Sequence, residues 1–212
     1  MSLASLVAGA IGKLGPRPKI SGCAGLEEFV DRHASFLAQK CIVEFCRVRA
    51  GIFWQKLFDE KEFRDKLTES CWLSYAPAAA MVLEMVDANL RQAAGLSQRA
   101  LPAALEQTGA AVFARYPVPA GAPADFHAEQ SLILGGRMRE IEHAPARPVS
   151  EMAAPMARLI YDNLPIHKQI VRHDYDYIFS FLRMNLLRAH EDFLEAADLD
   201  ALARALTGGG EK

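Results

Sequence analysis

The length, composition and charge of this 212-residue chain exclude several classes of protein. Hydrophobic residues make up 51% and charged residues 24%, which is typical of a soluble globular domain and not of a disordered chain. The formal net charge of -2 provides no overall basic field, so we expect no nucleic-acid partner. The four cysteines include no CxxC pair and therefore no zinc or redox motif. We expect reduced thiols in a cytoplasmic protein.

Residues 1–25 are predicted to form an N-terminal amphipathic segment followed by a loop. Its apolar residues with the spacing of one helix face are Leu3, Leu6, Val7, Ile11 and Leu14. The run is shorter than the about 20 residues that span a bilayer, and no basic residue precedes it as in a secretory signal. Two interpretations stay open. The helix docks on its own domain, or it contacts a partner or a membrane surface, where Lys13, Arg17 and Lys19 meet anionic headgroups.

The stretch from Leu26 to Phe58 has no proline and a single glycine, Gly51. Apolar residues cover nearly the whole circumference of the helix that it would form, and this pattern predicts a long buried helix packed by others. A narrow polar stripe carries Glu44 between Lys40 and Arg47. We interpret this stripe as solvated and ion-paired, and not as a buried carboxylate site.

Shorter helices are predicted next along the chain. Pro77 is expected to end or kink the helix before it, and a further helix continues from Ala78 to Ala94. On this helix Glu84, Asp87 and Arg91 repeat the pattern of the polar stripe. We therefore predict that these three side chains also face water.

Proline and glycine divide the second half of the chain. Residues 116–124, YPVPAGAPA, are a loop and the best candidate for a subdomain boundary. The helix that begins at Phe126 is predicted to break at Gly135–Gly136. Residues 26–206 are predicted to form one all-α domain, a bundle of six to eight helices, and residues 207–212 a disordered tail.

The stretch from Pro165 to Ala196 predicts a second long helix, because no glycine or further proline interrupts it. We expect the two long central helices, at about 26–58 and 165–196, to lie against each other. The inward stripe of the second helix includes Ile170, His173 and Tyr177.

The density of tyrosine and aspartate around this stripe is the most unusual local composition in the chain. The predicted ligand-binding residues are Tyr161, His173, Asp174 and Tyr177. An inward histidine among such groups acts as a general base or ligand in a helix-lined pocket. The alternative is a neutral histidine that is hydrogen-bonded within the core.

Glu140 and His143 form a Glu-x-x-His motif, which places both side chains on one helix face, where they can chelate one metal ion. Dinuclear sites in helical bundles need two such motifs and two further glutamates, and this chain has one motif. A metal site therefore requires convergence of side chains from Glu44, Glu84, Glu140, His143 and His173.

Three functions remain open from the sequence. The absence of GxxxxGK[ST], GxGxxG, GxSxG and HExxH motifs favours a non-catalytic cytoplasmic binding or adaptor protein, which recognises a protein partner or a small apolar ligand. The first alternative is a metal- or cofactor-dependent helical-bundle enzyme that uses Glu and His side chains, its cofactor unknown. The second is a peripheral membrane protein, anchored by residues 3–14 at the inner face of a membrane.

Overall fold

The computed structural model describes residues 19–94 and 100–208. The described chain is helical without strands, so the predicted all-α bundle is confirmed. Eight helices have nine or more residues, in agreement with the predicted six to eight. The predicted amphipathic face from Leu3 to Leu14 and the tail beyond Gly208 lie outside the described residues.

The helices follow one another with short connections. In chain order they are α1 (Cys23–Ala50), a 3₁₀ turn (Gly51–Phe53), α2 (Trp54–Asp59), α3 (Lys61–Leu73), α4 (Tyr75–Ala94), α5 (Ala100–Phe113), α6 (Phe126–Glu142), α7 (Val149–Asp162), α8 (Lys168–Val171), α9 (Tyr175–Ala196) and α10 (Leu199–Thr207). Within the described ranges, no helix has the length and hydropathy that crossing a bilayer requires.

The centre of the bundle is α4, and not the stretch from Leu26 to Phe58. Every residue from Ser74 to Asp87 is buried, because α4 contacts each of the other helices of nine or more residues. The alanines at 76, 78, 79 and 80 allow these neighbours to approach closely. Pro77 lies in the first turn of α4, where its missing N–H would have no partner within the helix.

The first long helix is shorter than predicted. α1 ends at Ala50, because Gly51 adopts a φ of 55°, in the left-handed region that favours glycine. The burial predicted for this stretch also fails from the last turn of α1 onwards, since Val48, Ile52 and Phe53 are exposed.

The second long helix begins at Tyr175, and not at Pro165. The chain first forms the four-residue α8, and the backbone N–H of Asp174 then bonds to the carbonyl of Val171 at 2.9 Å in a turn. This turn changes the phase of the predicted stripe, so His173 is exposed and not inward. As predicted, α9 packs against α1, with the rings of Phe29 and Phe193 centred 5.3 Å apart.

The predicted break at Gly135–Gly136 is wrong, because α6 continues without interruption to Glu142. A Cβ at Gly135 would lie 2.5 Å from Oε1 of Glu106 on α5. The missing side chain at Gly135 therefore leaves room for the carboxylate of Glu106, and the glycine does not end the helix.

The connection between α5 and α6 contains residues 116–124, and the subdomain boundary proposed there stays a prediction. At its start, the hydroxyl of Tyr116 donates to the carboxylate of Asp31 on α1.

Near the N-terminal end of the described chain, Ile20 pairs with the junction of α9 and α10, where its N–H bonds to the carbonyl of Ala196 at 2.9 Å.

Candidate functional site

A network of six charged side chains lies between α4, α6 and the α6–α7 segment (residues 143–148). We call it the ion network, and its members are Glu84, Asp87, Arg91, Arg137, Glu140 and Arg147. Three of these side chains are acidic and three are basic, so their formal charges cancel. Charges taken out of water are tolerated when they are paired in this way.

Glu84 is the centre of the ion network and is only 4% exposed. Arg137 binds it through two parallel contacts, Nε to Oε2 at 3.0 Å and Nη2 to Oε1 at 2.7 Å. Arg147 donates from Nε to the same Oε1 at 2.7 Å, and Arg137 also reaches Glu140 at 2.6 Å. Two guanidinium groups therefore compensate one buried carboxylate, in the fork geometry that arginine provides.

Asp87 lies one helical turn after Glu84 and is 3% exposed. Its Oδ2 is 2.8 Å from Nε of Arg91, an ion pair without the alignment of a hydrogen bond. Arg91 also donates to the carbonyls of Ile141 and Ala144, at 2.9 and 3.3 Å, and thus binds the C-terminal end of α6. Burial raises the pKa of Asp87 to about 6, although the charge of Arg91 acts in the opposite direction.

Three polar atoms of the ion network have no hydrogen-bond partner among the described residues. They are Oδ1 of Asp87, Nε of Arg91 and Nη2 of Arg147, all enclosed by protein atoms. Beside them lies a cavity of about 10 Å³, lined by Glu84, Asp87, Met152 and the α6–α7 segment. A cavity of this size holds about one water molecule.

Next to the ion network, an open cleft of about 630 Å³ lies between α4, the α6–α7 segment and α9. Its lining residues are Ala88, Asn89, Arg91, Gln92, Ala146, Arg147, Pro148, Val149 and His190. Of the described residues, two arginines and no acid face this cleft, because Glu84 and Asp87 lie behind them in the smaller cavity. The volume falls within the range of small-molecule sites, about 300–1,000 Å³.

His190 is held in one orientation at the edge of the cleft. Asn89 donates from Nδ2 to the carbonyl of Met85 at 2.7 Å, which turns its Oδ1 towards Nε2 of His190 at 3.0 Å. Burial lowers the pKa of His190, so the imidazole is neutral at neutral pH. With Nε2–H donating to Asn89, the Nδ1 atom remains an acceptor.

We expect the stability difference between the natural protein and an Asp87→Asn variant to depend on pH between about 4 and 6. In this window folded Asp87 binds a proton that the unfolded chain has lost, because its pKa is raised from 3.8 to about 6. The contribution of Asp87 to stability is therefore largest below this window and falls as pH rises through it. Urea unfolding of both proteins across this range measures the effect, and a difference that does not vary with pH would contradict it.

The prediction that Glu84, Asp87 and Arg91 face water is wrong. The pairing of Asp87 with Arg91 was predicted correctly, but α4 has no side exposed to solvent at Glu84 and Asp87.

The prediction of an ion-paired surface stripe is confirmed for Glu44, which is half-buried and accepts from Lys40 at 2.8 Å and from Arg47 at 2.5 Å. The hydrogen bond from Lys40 outweighs partial burial and lowers the pKa of Glu44.

The predicted ligand-binding residues do not line either cavity described above. Tyr161 is buried and donates its hydroxyl to the carbonyl of Val171 at 2.7 Å. Asp174 pairs with Arg49, while His173 and Tyr177 are exposed. Binding at these residues stays a prediction, although the inward positions expected for His173 and Tyr177 are wrong.

The residues proposed for a metal site have other partners or face solvent. Glu140 is bound to Arg137, and His143 follows α6 as an exposed residue. Among the described residues, no group of three or more His, Cys, Asp or Glu side chains is arranged to hold a metal ion. Glu84 is bound by two arginines and Glu44 belongs to the surface pairs, so the structure does not bring the five candidates together.

One cluster was missed in the sequence because its members are far apart along the chain. Asp31 accepts from the hydroxyl of Tyr75 at 2.5 Å and from that of Tyr116 at 2.7 and 2.9 Å. Burial raises the pKa of Tyr116 to about 12 and that of Tyr75 further, with Asp31 acting in the same direction. Both phenols therefore stay protonated and serve as donors.

The cysteines offer no reactive thiol in the core. Cys41 and Cys46 are buried and Cys71 half-buried, and all three are unpaired. Burial raises the pKa of Cys46 and of Cys71 to about 12 and that of Cys41 further. These thiols are protonated at neutral pH, so they behave as small core residues and not as nucleophiles.

Comparison of the chain with protein-family models, with curated proteins and with solved structures finds no match.

Proposed function

We propose that the chain is a non-catalytic cytoplasmic binding protein that holds a small organic anion with an apolar body in the cleft between α4, the α6–α7 segment and α9. The observation that carries this proposal is the lining of the cleft, with two arginines and no acid in front of a buried network of balanced charge.

The arginines of the cleft differ in what they can offer a ligand. Arg91 is 7% exposed in its side chain and already donates to two carbonyls, so it supplies charge more than hydrogen bonds. Arg147 is 30% exposed in its side chain, and its Nη2 has no partner among the described residues. Because Nη2 itself is enclosed by protein atoms, a carboxylate in the cleft would instead be attracted by the charge of Arg147 at the exposed part of this side chain.

The remaining lining residues favour a ligand with an apolar part. Ala88, Ala146, Pro148 and Val149 form an apolar wall, while Asn89 and His190 present the orienting polar groups. A pocket with mostly apolar walls and a few placed polar groups is typical of small-molecule sites. No serine, threonine or cysteine lies in this lining, which favours binding over group transfer.

The compartment is part of the same proposal. Three unpaired thiols, buried or half-buried, suit a protein kept under reducing conditions, and we therefore place it in the cytoplasm.

The test uses 4-phenylbutyrate, a carboxylate with an apolar body, and its uncharged amide. We expect isothermal titration calorimetry to show binding of the acid and at least about tenfold weaker binding of the amide, a loss of about 1.4 kcal/mol or more. Arg147→Met removes the donors and keeps most of the side-chain volume, and we expect a similar loss of affinity for the acid.

Native mass spectrometry of the freshly purified protein, compared with its denatured mass, shows in addition whether a small molecule is already bound.

Arg158→Met provides the matched control, because Arg158 is an exposed arginine of α7 that pairs with Asp162 outside the cleft. This variant should bind the acid as the natural protein does. Equal affinity for acid and amide, or full affinity in Arg147→Met, would reject the proposed site. Absence of binding together with a native mass equal to the mass of the chain would reject it as well.

A further inference from the structure

Three consecutive large apolar residues project from the bundle where α1 meets α2. We call them the apolar wedge: Ile52, Phe53 and Trp54, which are 87%, 68% and 36% exposed. Exposed hydrophobic residues that occur singly need no explanation, but a run of three at one turn indicates an interaction surface.

The exposure of the apolar wedge follows from the positions of the helix ends. The ion pair of Arg49 with Asp174 places the start of α9 beside the last turn of α1. The ring of Phe45 is buried and centred 5.7 Å from that of Tyr177, whereas Val48 and Ile52, three and seven residues later, are exposed. The chain leaves α1 at Gly51 and forms a 3₁₀ turn in which all three residues are exposed.

The apolar wedge is firmly supported at its base. The ring of Trp54 lies edge-on to that of Phe58 at 5.9 Å, and Phe58 in turn packs on Phe63 at 5.4 Å. Phe63 belongs to the buried core. The exposed residues are therefore held by an aromatic stack that continues into the bundle.

Basic side chains flank the apolar wedge on both sides in the sequence, and the acids Asp59 and Glu60 follow after Phe58. The chain from Arg47 to Phe58 contains Arg47, Arg49 and Lys56 and no acid. The two arginines are paired with Glu44 and Asp174, yet their side chains remain 50% and 41% exposed, and Lys56 is exposed. Basic groups on both sides of an apolar tip complement an anionic bilayer surface, where a cation without an ion pair adds about 1 kcal/mol of attraction and a paired one adds less.

We propose that the apolar wedge inserts into the headgroup region of an anionic lipid bilayer and attaches the protein to the membrane surface. Trp54 and Phe53 are of the residue types that favour the boundary between headgroups and acyl chains. The apolar wedge lines neither of the two cavities described above. This surface follows the C-terminal end of α1 and consists of other residues than the amphipathic face predicted for residues 3–14.

The first test is co-sedimentation with vesicles made of equal parts phosphatidylserine and phosphatidylcholine. We expect the natural protein to bind these vesicles and to bind phosphatidylcholine alone at least about tenfold more weakly. The double variant Ile52→Ser/Phe53→Ser should lose at least about tenfold in binding to the anionic vesicles. Leu132→Ser is the matched control, because Leu132 is 69% exposed on α6 and should be dispensable. Circular dichroism of each variant verifies that the helices are intact.

The second test measures insertion of the apolar wedge directly, through the fluorescence of Trp54. Trp72 is the other tryptophan of the chain, so Trp72→Phe leaves Trp54 as the single reporter. We expect its emission to shift to shorter wavelength and its quenching by acrylamide to fall when anionic vesicles are added. A variant that also lacks residues 2–16 should give the same response, since the proposal assigns the attachment to Ile52, Phe53 and Trp54.

Four results would overturn the proposal. The first is that Ile52→Ser/Phe53→Ser binds anionic vesicles as strongly as Leu132→Ser does, and the second is vesicle binding that leaves the emission of Trp54 unchanged. The third is loss of the Trp54 emission shift when residues 2–16 are removed. The fourth is that the apolar wedge forms a dimer of the protein and does not bind lipid. Sedimentation velocity without lipid detects the last of these, as a dimer that Ile52→Ser/Phe53→Ser dissociates.

Discussion

Replacing Glu84 with glutamine is expected to lower the free energy of unfolding by about 3–5 kcal/mol. The substitution keeps the shape of the side chain but removes the charge that compensates Arg137 and Arg147. Arg137 is itself buried, and its remaining partner is Glu140, which lies at the surface. An uncompensated guanidinium in this position has lost its hydration without regaining a partner of opposite charge.

Urea unfolding followed by circular dichroism at pH 7 measures this effect, and Glu44→Gln is the matched control. Glu44 has two cationic partners as Glu84 does, but its ion pairs lie on the surface of α1. We expect Glu44→Gln to cost less than about 1 kcal/mol. If the two substitutions were equally costly, the burial of the ion network would not be the source of its contribution.

Replacing Asp31 with alanine is expected to cost about 3 kcal/mol of unfolding free energy, because it leaves two phenol hydroxyls without their acceptor. Tyr75 is 3% exposed, so water does not replace the carboxylate there. Tyr116 is half-buried and should contribute the smaller share. The loss should loosen the contacts among α1, α4 and the chain after α5, which these hydrogen bonds join.

The double variant Tyr75→Phe/Tyr116→Phe separates the hydrogen bonds from the packing of the rings. In this background neither phenol hydroxyl is present to lose its acceptor, so adding Asp31→Ala should cost less than about 1 kcal/mol. Urea unfolding of the four proteins completes the cycle. An undiminished cost in the phenylalanine background would show that Asp31 acts through something other than the two tyrosines.

The sequence was sufficient for the fold class and for most of the helices, because apolar periodicity reports which side of a helix is covered. It was not sufficient for the ends of the long helices. Gly51 ends α1 through its φ of 55°, a choice of conformation that glycine permits but does not require. The start of α9 depends on a turn at Val171–Asp174, in which no glycine or proline signals the break.

The candidate site depended on contacts that local patterns do not reveal. Glu84 meets Arg137 and Arg147 across 53 and 63 residues of chain, and Asp31 meets Tyr116 across 85. On α4 the charges were assigned to a solvated face because they follow the spacing of surface ion pairs. The stretch YAPAAAMVLEMV before Asp87 is apolar on all sides, and this signal could have indicated that even its charges are enclosed.

The enclosure of α4 also determines where the chain can tolerate change. An amphipathic helix has one side on which a longer side chain turns into water, but from Ser74 to Asp87 no such side exists. At every one of these positions a larger residue must displace a neighbouring helix, and a smaller one leaves a void that its neighbours must fill. The variation open to this protein is therefore concentrated in its outer helices and loops, around a central helix constrained in both volume and charge.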